Sequence, residues 1–321
     1  MVIRSVVLLL MLVLSTAAPS PLIIAHRGSS GYRPEHTLEG YTLAAKMGAD
    51  FIEPDLVVTK DGVLVARHEN EIGGTTDVAA KFPQRKTTKT VDGQSVTGWF
   101  TEDFTLAEIK TLRARERMAT RSHEYDGQFQ IPTLDEVIEL AQRLGRERGR
   151  AVGIYPETKH PTYFRAIGLP IEERLLASLK KYGLDHRDSP VFIQSFEVEN
   201  LRKLHGQTSV RLIQLVSDPA MLDDAGLAAI AKYADGIGPE KRLVIPVASD
   251  GTVGPPSDLV ARAHAAGLLV HIWTIRIDKE YLPAGYHGDP LAEYRQFRQL
   301  GVDGVFTDFP DVAVKAFASK E

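Results

Sequence analysis

The sequence predicts an α/β protein folded as a (β/α)8 TIM barrel, and three observations carry that prediction. Eight short apolar segments, most rich in β-branched residues and bounded by Gly or Pro, read as buried parallel strands. Segments with a 3.6-residue apolar period lie between them, so strands and helices alternate. The length, 321 residues, is ordinary for a single barrel of this kind.

The strand segments are 22–26 (LIIAH), 51–58 (FIEPDLVV), 151–158 (AVGIYPET), 191–196 (VFIQSF), 210–216 (VRLIQLV), 234–239 (ADGIGP), 268–275 (LLVHIWTI) and 302–308 (VDGVFTD). Helical periodicity is clearest at 37–48, 133–145, 171–183 and 257–267. Each of these four ends in Gly, a common helix stop, and Thr133 and Ser257 are expected N-caps. An open doubly wound sheet is the weaker alternative. Its dinucleotide fingerprint needs a helix opening directly after the first glycine-rich turn, and HRGSSG at 26–31 is not followed that way.

Residues 69–131 break the rhythm. The stretch is rich in Thr, Gly and Asp, with one short helix expected in TLAEIKTLRAR. A connection this long usually carries function, so it is expected to form an insertion subdomain over the catalytic face that selects among substrates. Residues 19–321 are expected to form a single barrel domain that carries this insertion.

A formal charge of −4 supplies no basic field, so nucleic acid is excluded as a partner. The run RLGRERGR at 143–150 has no interleaved aromatics and reads as a solvated helix end. At the N-terminus, Arg4, the apolar run 6–14 and the small residues Thr16 and Ala18 read as a signal peptide over 1–18. The run is too short to span a bilayer as a helix. The mature chain is therefore expected to be secreted or periplasmic, without stable membrane insertion. It contains no cysteine, so neither disulfides nor a lipidated cysteine anchor it.

Several strands end in titratable groups. His26 and Arg27 close the first, and Glu53 and Asp55, two apart in the second, share a face. Glu157 closes the third, with Lys159 two residues beyond, and His68 ends a further apolar run. Three carboxylates gathered at one barrel mouth repel one another and lose hydration, which demands a compensating cation. Glu53, Asp55 and Glu157 offer oxygen only, which suits a hard ion, Ca²⁺ or alternatively Mg²⁺, rather than zinc. His26 and His68 then read as acid/base groups. His271 reads as a core histidine, and His36, His123, His160, His186, His205, His264 and His287 as surface or structural residues.

The stretch IIAHRGSSGYRPEHTLEGYTLAAKMGADFIEPDLVVTKDGVLVARHE resembles the N-terminal signature of the glycerophosphodiester phosphodiesterases, close to their secreted bacterial form. The elements occur in order: HRG, PE-x-T, G-A-D-x-I-E-x-D, T-x-D-G and a histidine. YPETKHP, QSF, HIWTI and VDGVFTDFP resemble the family's later strand ends, so the likeness covers nearly the whole mature chain. The resemblance implies that His26 and His68 are the catalytic pair, that Glu53, Asp55 and Glu157 hold the metal, and that Arg27 and Lys159 contact phosphate. It implies metal-dependent hydrolysis of a small glycerophosphodiester to sn-glycerol 3-phosphate and an alcohol. Phe196 and Trp273 are candidates for an apolar wall under the glycerol carbons. The alternative on the same barrel is a lipid phosphodiesterase of phospholipase D or C type, which requires an apolar rim. Two positions depart from the signature: His36 stands where Asn is frequent, and Glu69 where Asp is common.

Overall fold

Eight parallel strands close into a ring, and the two that break do so at proline. The computed structural model describes residues 20–318, so the expected signal peptide over 1–18 lies outside the described residues. The ring begins with β1 (Leu22–His26), followed by β2 (Phe51–Glu53) and β3 (Asp55–Val58). The last two form one path interrupted at Pro54, which has no N–H to donate to a ladder. After β3 the chain turns back on itself as β4 (Leu64–Ala66), antiparallel to β3.

A two-stranded ribbon, β5 (Thr87–Val91) and β6 (Gln94–Gly98), lies within the 69–131 segment. Barrel strands resume with β7 (Gly153–Ile154) and β8 (Glu157–Thr158), one path broken before Pro156. They continue as β9 (Phe192–Ser195), β10 (Arg211–Val216), β11 (Gly236–Pro239), β12 (Leu269–Ile275) and β13 (Gly304–Thr307). β2 pairs with β7 and β3 with β8, while β13 pairs with β1, which shuts the ring. All these barrel pairings are parallel, as βαβ connections require.

Helices cover the outside because their sequence gives each one apolar stripe. Leu134–Arg148 buries Leu134, Val137, Ile138, Ala141 and Leu144, the spacing of one helix face. Its N-terminus is closed by a reciprocal capping box between Thr133 and Glu136. Two expected helix boundaries are corrected. This helix runs through Gly145 and stops at Gly149, whose φ of 64° gives the left-handed cap. Ser257 does not cap the helix Leu259–Ala265. Asp258 occupies the cap position, and Ser257 Oγ donates to the Leu243 carbonyl instead. Among the described residues no helix is long and apolar enough to cross a membrane.

The barrel interior is plugged below the mouth by Ile24, Phe51, Tyr155, Phe192, Ile213 and Phe306. Tyr155 stacks on Phe192 with ring centroids 5.1 Å apart and meets Phe306 edge-on at 5.0 Å. His271 is fully buried in this plug and shares a 2.7 Å hydrogen bond with the Tyr155 hydroxyl, so it is a core histidine.

The plug needs room that only glycine leaves. A Cβ on Gly153 would lie 2.2 Å from the Phe51 ring. Gly153→Ala is therefore expected to destabilise the protein by about 1–3 kcal/mol, the usual cost of overpacking a core. Urea unfolding checks this, and an unchanged midpoint would show that the Phe51 ring is not fixed there.

Candidate active site

Register places the carboxylates side by side. β1–β2 pairing sets His26 beside Glu53, β3–β8 pairing sets Asp55 beside Glu157, and β8–β9 pairing sets Glu157 beside Gln194. Ligand oxygens of Glu53, Asp55 and Glu157 all lie within 4.8 Å of one another, and all three residues are buried. This is the cluster expected from the sequence.

Each carboxylate is only partly neutralised. Glu53 accepts from the Arg27 backbone N–H at 2.7 Å and from Gln194 Nε2 at 3.2 Å. Glu157 Oε1 faces Lys159 Nζ at 3.0 Å. Asp55 Oδ2 accepts from His36 Nε2 at 2.9 Å and lies 3.4 Å from Arg27 Nε, while its Oδ1 is buried without a partner. Burial, with the neighbouring carboxylates, raises Glu53 well above the ordinary range. Burial pushes Glu157 up to about 8 against the pull of Lys159. Burial acts the same way on Asp55, but the His36 hydrogen bond and the nearby His68, His36 and Lys159 outweigh it and hold Asp55 well below the usual range.

Two carboxyls that resist ionising beside a third held ionised, with a buried oxygen that has no partner, suit a bound positive charge. Three oxygen donors from side chains are a suitable partial shell for a hard divalent cation.

Two imidazoles face the same cleft from different supports. The cleft is lined by His26, Arg27, Glu53, His68, Glu157, Gln194, Phe196, Leu215, Trp273, Thr274, Arg276 and Phe306. His26 Nδ1 donates to Asp308 Oδ1 at 2.6 Å, which leaves Nε2 for the cleft. Burial and the charge of Arg27 outweigh Asp308 and bring His26 down to about 3. His68 reaches the mouth in the loop just past the return strand β4 rather than on a barrel strand. Its Nδ1 donates to Glu69 Oε1 at 2.8 Å, and Lys159 Nζ approaches its Nε2 at 3.5 Å. Burial, then Arg27, lowers His68. Phe196 and Trp273 meet edge-to-face with centroids 5.7 Å apart on the cleft wall.

Several supporting residues carry no signal in composition or period. His36 is wholly buried, joining the Tyr41 hydroxyl at 2.7 Å to Asp55. Glu35 Oε2 accepts from Arg27 Nη1 at 3.0 Å and from Arg117 Nε at 2.9 Å. Asp308 also accepts from Arg121 Nη2 at 2.6 Å and from Arg276 Nε at 2.8 Å. Asp308 sits in the last predicted strand segment, so its strand-end position was the available clue. Arg117 and Arg121 belong to the 69–131 segment. None of that segment lines the cleft, and its contacts run instead to groups that hold the cleft's own side chains.

Five non-glycine residues among those described have positive φ: Arg27, His36, Asp92, His160 and His287. The first two flank the carboxylates, and such backbone costs about 1–3 kcal/mol per residue unless its surroundings enforce it. At His36 the buried Arg67 enforces it, donating to the carbonyls of Glu35, His36 and Ala66; at Arg27 the backbone N–H is held by Glu53 and the carbonyl by the His36 N–H.

A parallel barrel whose mouth gathers an oxygen-only ligand cluster, two oriented imidazoles and two fixed cations is an enzyme of the phosphodiester-hydrolase class. Residues 26–312 match the glycerophosphoryl diester phosphodiesterase family. A glycerophosphodiester phosphodiesterase of Arabidopsis thaliana is 40% identical over 316 residues, covering 90% of this chain and 84% of its own. That of Haemophilus influenzae is 34% identical over 334 residues, covering 92% and 89%. In fold, the chain is similar to a phosphodiesterase of Oleispira antarctica solved in complex with the product sn-glycerol-3-phosphate. That likeness has a TM-score of 0.66 and 24% identity, covering 94% of this chain and 98% of that one. The chain belongs to the glycerophosphoryl diester phosphodiesterase family.

The raised carboxyls make cation binding pH-dependent. Burial raises Glu157 to about 8, which favours its protonated form at neutral pH, so it must ionise to ligate. Protons therefore compete with the ion, and Ca²⁺ affinity is expected to rise from pH 6 to about 8.5 with proton release. Calorimetric titration in two buffers of different ionisation enthalpy measures both quantities. An affinity independent of pH would contradict the shift. Without the ion the sign reverses: a carboxyl raised above its unfolded value stabilises fully at low pH, and that contribution is lost as pH rises through about 8.

Proposed function

We propose that this glycerophosphodiester phosphodiesterase cleaves its substrate to sn-glycerol 3-phosphate and an alcohol by metal-assisted acid–base catalysis, with His26 and His68 moving the protons. The observation that carries the reading is the presence of both imidazoles in the lining of one cleft with Glu53, Glu157 and Arg27. The product complex of the Oleispira antarctica relative supports the same product class.

Each side chain then has a task. Arg27, in the cleft lining, offers its planar fork to phosphate oxygens, and Lys159 adds a compact positive charge 3.0 Å from Glu157 Oε1. Glu53, Asp55 and Glu157 would hold a hard divalent cation such as Ca²⁺, which would supply positive charge to neutralise the phosphate. Asp308 fixes the His26 ring through Nδ1, and Glu69 does the same for His68, so each imidazole presents Nε2 to the reacting group. One, as the neutral ring, accepts the proton of the attacking hydroxyl on Nε2; the other enters the step as the imidazolium and gives its Nε2 proton to the departing alcohol. Phe196 and Trp273 form the apolar wall for the glycerol carbons.

A lipid substrate is less well supported. The exposed large apolar residues among those described are Ile167, Phe196 and Tyr281, and Phe196 alone lines the cleft. That is too little to seat two acyl chains. We further propose that residues 1–18 direct export and that the enzyme works outside the cytoplasm, where Ca²⁺ is plentiful.

His26→Ala and His68→Ala are each expected to lower kcat at least about 10²-fold on glycerophosphocholine while leaving the fold intact, the usual loss when a general acid or base is removed. A variant retaining more than a tenth of wild-type turnover would remove that histidine from the chemistry. Wild-type protein is also expected to turn over glycerophosphocholine and to leave intact phosphatidylcholine uncleaved. Excess chelator is expected to abolish turnover and added Ca²⁺ to restore it. Full activity in chelator, or rescue by Zn²⁺ alone, would defeat the metal assignment.

A further inference from the structure

His68 is held from behind by a chain of groups that ends in the 69–131 segment. Its Nδ1 donates to Glu69 Oε1 at 2.8 Å. The other oxygen of Glu69 accepts from His160 Nε2 at 2.8 Å. The remaining nitrogen of His160, Nδ1, donates to Asp92 Oδ2 at 2.6 Å. Asp92 is the first residue of the turn between β5 and β6, so it belongs to the ribbon and not to the barrel.

We propose that His160 and Asp92 are positioning residues for His68, so that the ribbon of the 69–131 segment sets the orientation and tautomer of one catalytic imidazole. The inference rests on the reading of His68 as an acid/base group.

The chemistry of the chain runs one way. Both ring nitrogens of His160 face carboxylate oxygens, so both must donate and the ring is an imidazolium. Burial works against that charge, but Glu69 and Asp92 outweigh it and raise His160. The charges facing Glu69 are His160, His68 and Lys159, and those facing His68 include Arg27, Lys159 and Asp55 besides Glu69.

The Glu69 side chain is 46% exposed, so without His160 it would be free to turn into solvent. Pinned through Oε2, it keeps Oε1 as an acceptor for the His68 Nδ1–H. His68 then carries its proton on Nδ1 and its lone pair on Nε2, the nitrogen that Lys159 Nζ approaches at 3.5 Å.

The backbone is shaped to the same end. Asp92 and His160 both have φ of 47°, a conformation that side chains other than glycine rarely adopt. For Asp92 the following Gly93 has φ of 77°, which makes the Asp-Gly turn of a tight ribbon. His160 starts the helix Pro161–Ala166 but makes no capping hydrogen bond, because its ring is turned to the two carboxylates instead. A ribbon merely resting on the barrel would not require a charged ring bridging to the residue that touches His68.

The test uses the full-length enzyme with Ca²⁺ and measures kcat and KM on glycerophosphocholine. The variants are His160→Ala, Asp92→Asn, Glu69→Gln, the double variant Glu69→Gln with His160→Ala, and His68→Ala. Exposed His123, paired with Asp126 elsewhere on the same segment, gives the control His123→Ala, expected to match wild type. His160→Ala is expected to lower kcat roughly 10-fold or more with KM within about twofold, since misorientation of a reacting group can cost up to about 10²-fold. Asp92→Asn, on an exposed turn where folding is not at stake, is expected to lower kcat by a few-fold in the same pattern. The double variant is expected to be no worse than the poorer single, because both act through one path. Nitrogen-15 shifts of His68 are expected to report the Nδ1–H form in wild type and a tautomer mixture in His160→Ala.

Wild-type kcat in His160→Ala with an unchanged His68 tautomer, while His68→Ala is inactive, would overturn the positioning role alone. Multiplicative losses in the double variant would also overturn it. An active His68→Ala would instead overturn the acid/base reading beneath it.

Discussion

Three carboxylates that share one barrel mouth cannot all be ionised without a positive charge among them, and the surrounding structure answers that constraint. Burial drives Glu53 and Glu157 toward their protonated forms, while the His36 hydrogen bond and the charges of His68 and Lys159 hold Asp55 ionised. Lys159 and Arg27 lean against the cluster from its rim, Lys159 3.0 Å from Glu157 and Arg27 3.4 Å from Asp55. Together they leave Asp55 Oδ1 without a partner. A hard cation placed there would turn a repulsive cluster into a ligand shell and leave the two rim cations free to meet phosphate.

The barrel supplies the register and the chain between its strands supplies the orientation. Pro54 and Pro156 break two neighbouring strands where the carboxylates emerge, so Glu53 and Asp55 straddle one break and Glu157 follows the other. The β3–β4 return brings His68 back over the cluster. The segment after it sends Arg117 to Glu35 and Arg121 to Asp308, the partners of Arg27 and His26. Charged side chains thus hold other charged side chains in a region with little water. In such a region each unpaired group is costly, so the arrangement tolerates few alternatives.

Much of this was legible before the structure. The eight strand segments, the shared face of Glu53 and Asp55, and the clustering with Glu157 follow from period and from the rule that barrel strand ends build the site. Helix ends were less legible. Gly145 resembles a stop, but the apolar stripe through Leu144 and the cap available at Gly149 carry the helix onward. His36 could not be recognised from its neighbours in sequence. Its role arises from a backbone with φ of 55° that turns the ring onto Asp55, and from Arg67, which is 31 residues away and bonds its carbonyl. The interior of the 69–131 segment was opaque because its contacts with Glu35, Asp278 and Asp308 are long-range and polar, and polar contacts leave no period. Its local signals were the short helix in TLAEIKTLRAR, found at Leu106–Ile109, and the tight-turn dipeptide Asp92-Gly93.

The account turns on a cation at the centre of the mouth, and the most direct measurement is a crystal structure of the protein grown with Ca²⁺. The account predicts one ion bound by an oxygen from each of Glu53, Asp55 and Glu157 at about 2.3–2.6 Å, the usual range for calcium and oxygen. It also predicts that Asp55 Oδ1, otherwise unpartnered, is among those oxygens. An ion held elsewhere, or a cluster that stays empty at saturating Ca²⁺ with Lys159 alone balancing Glu157, would contradict it.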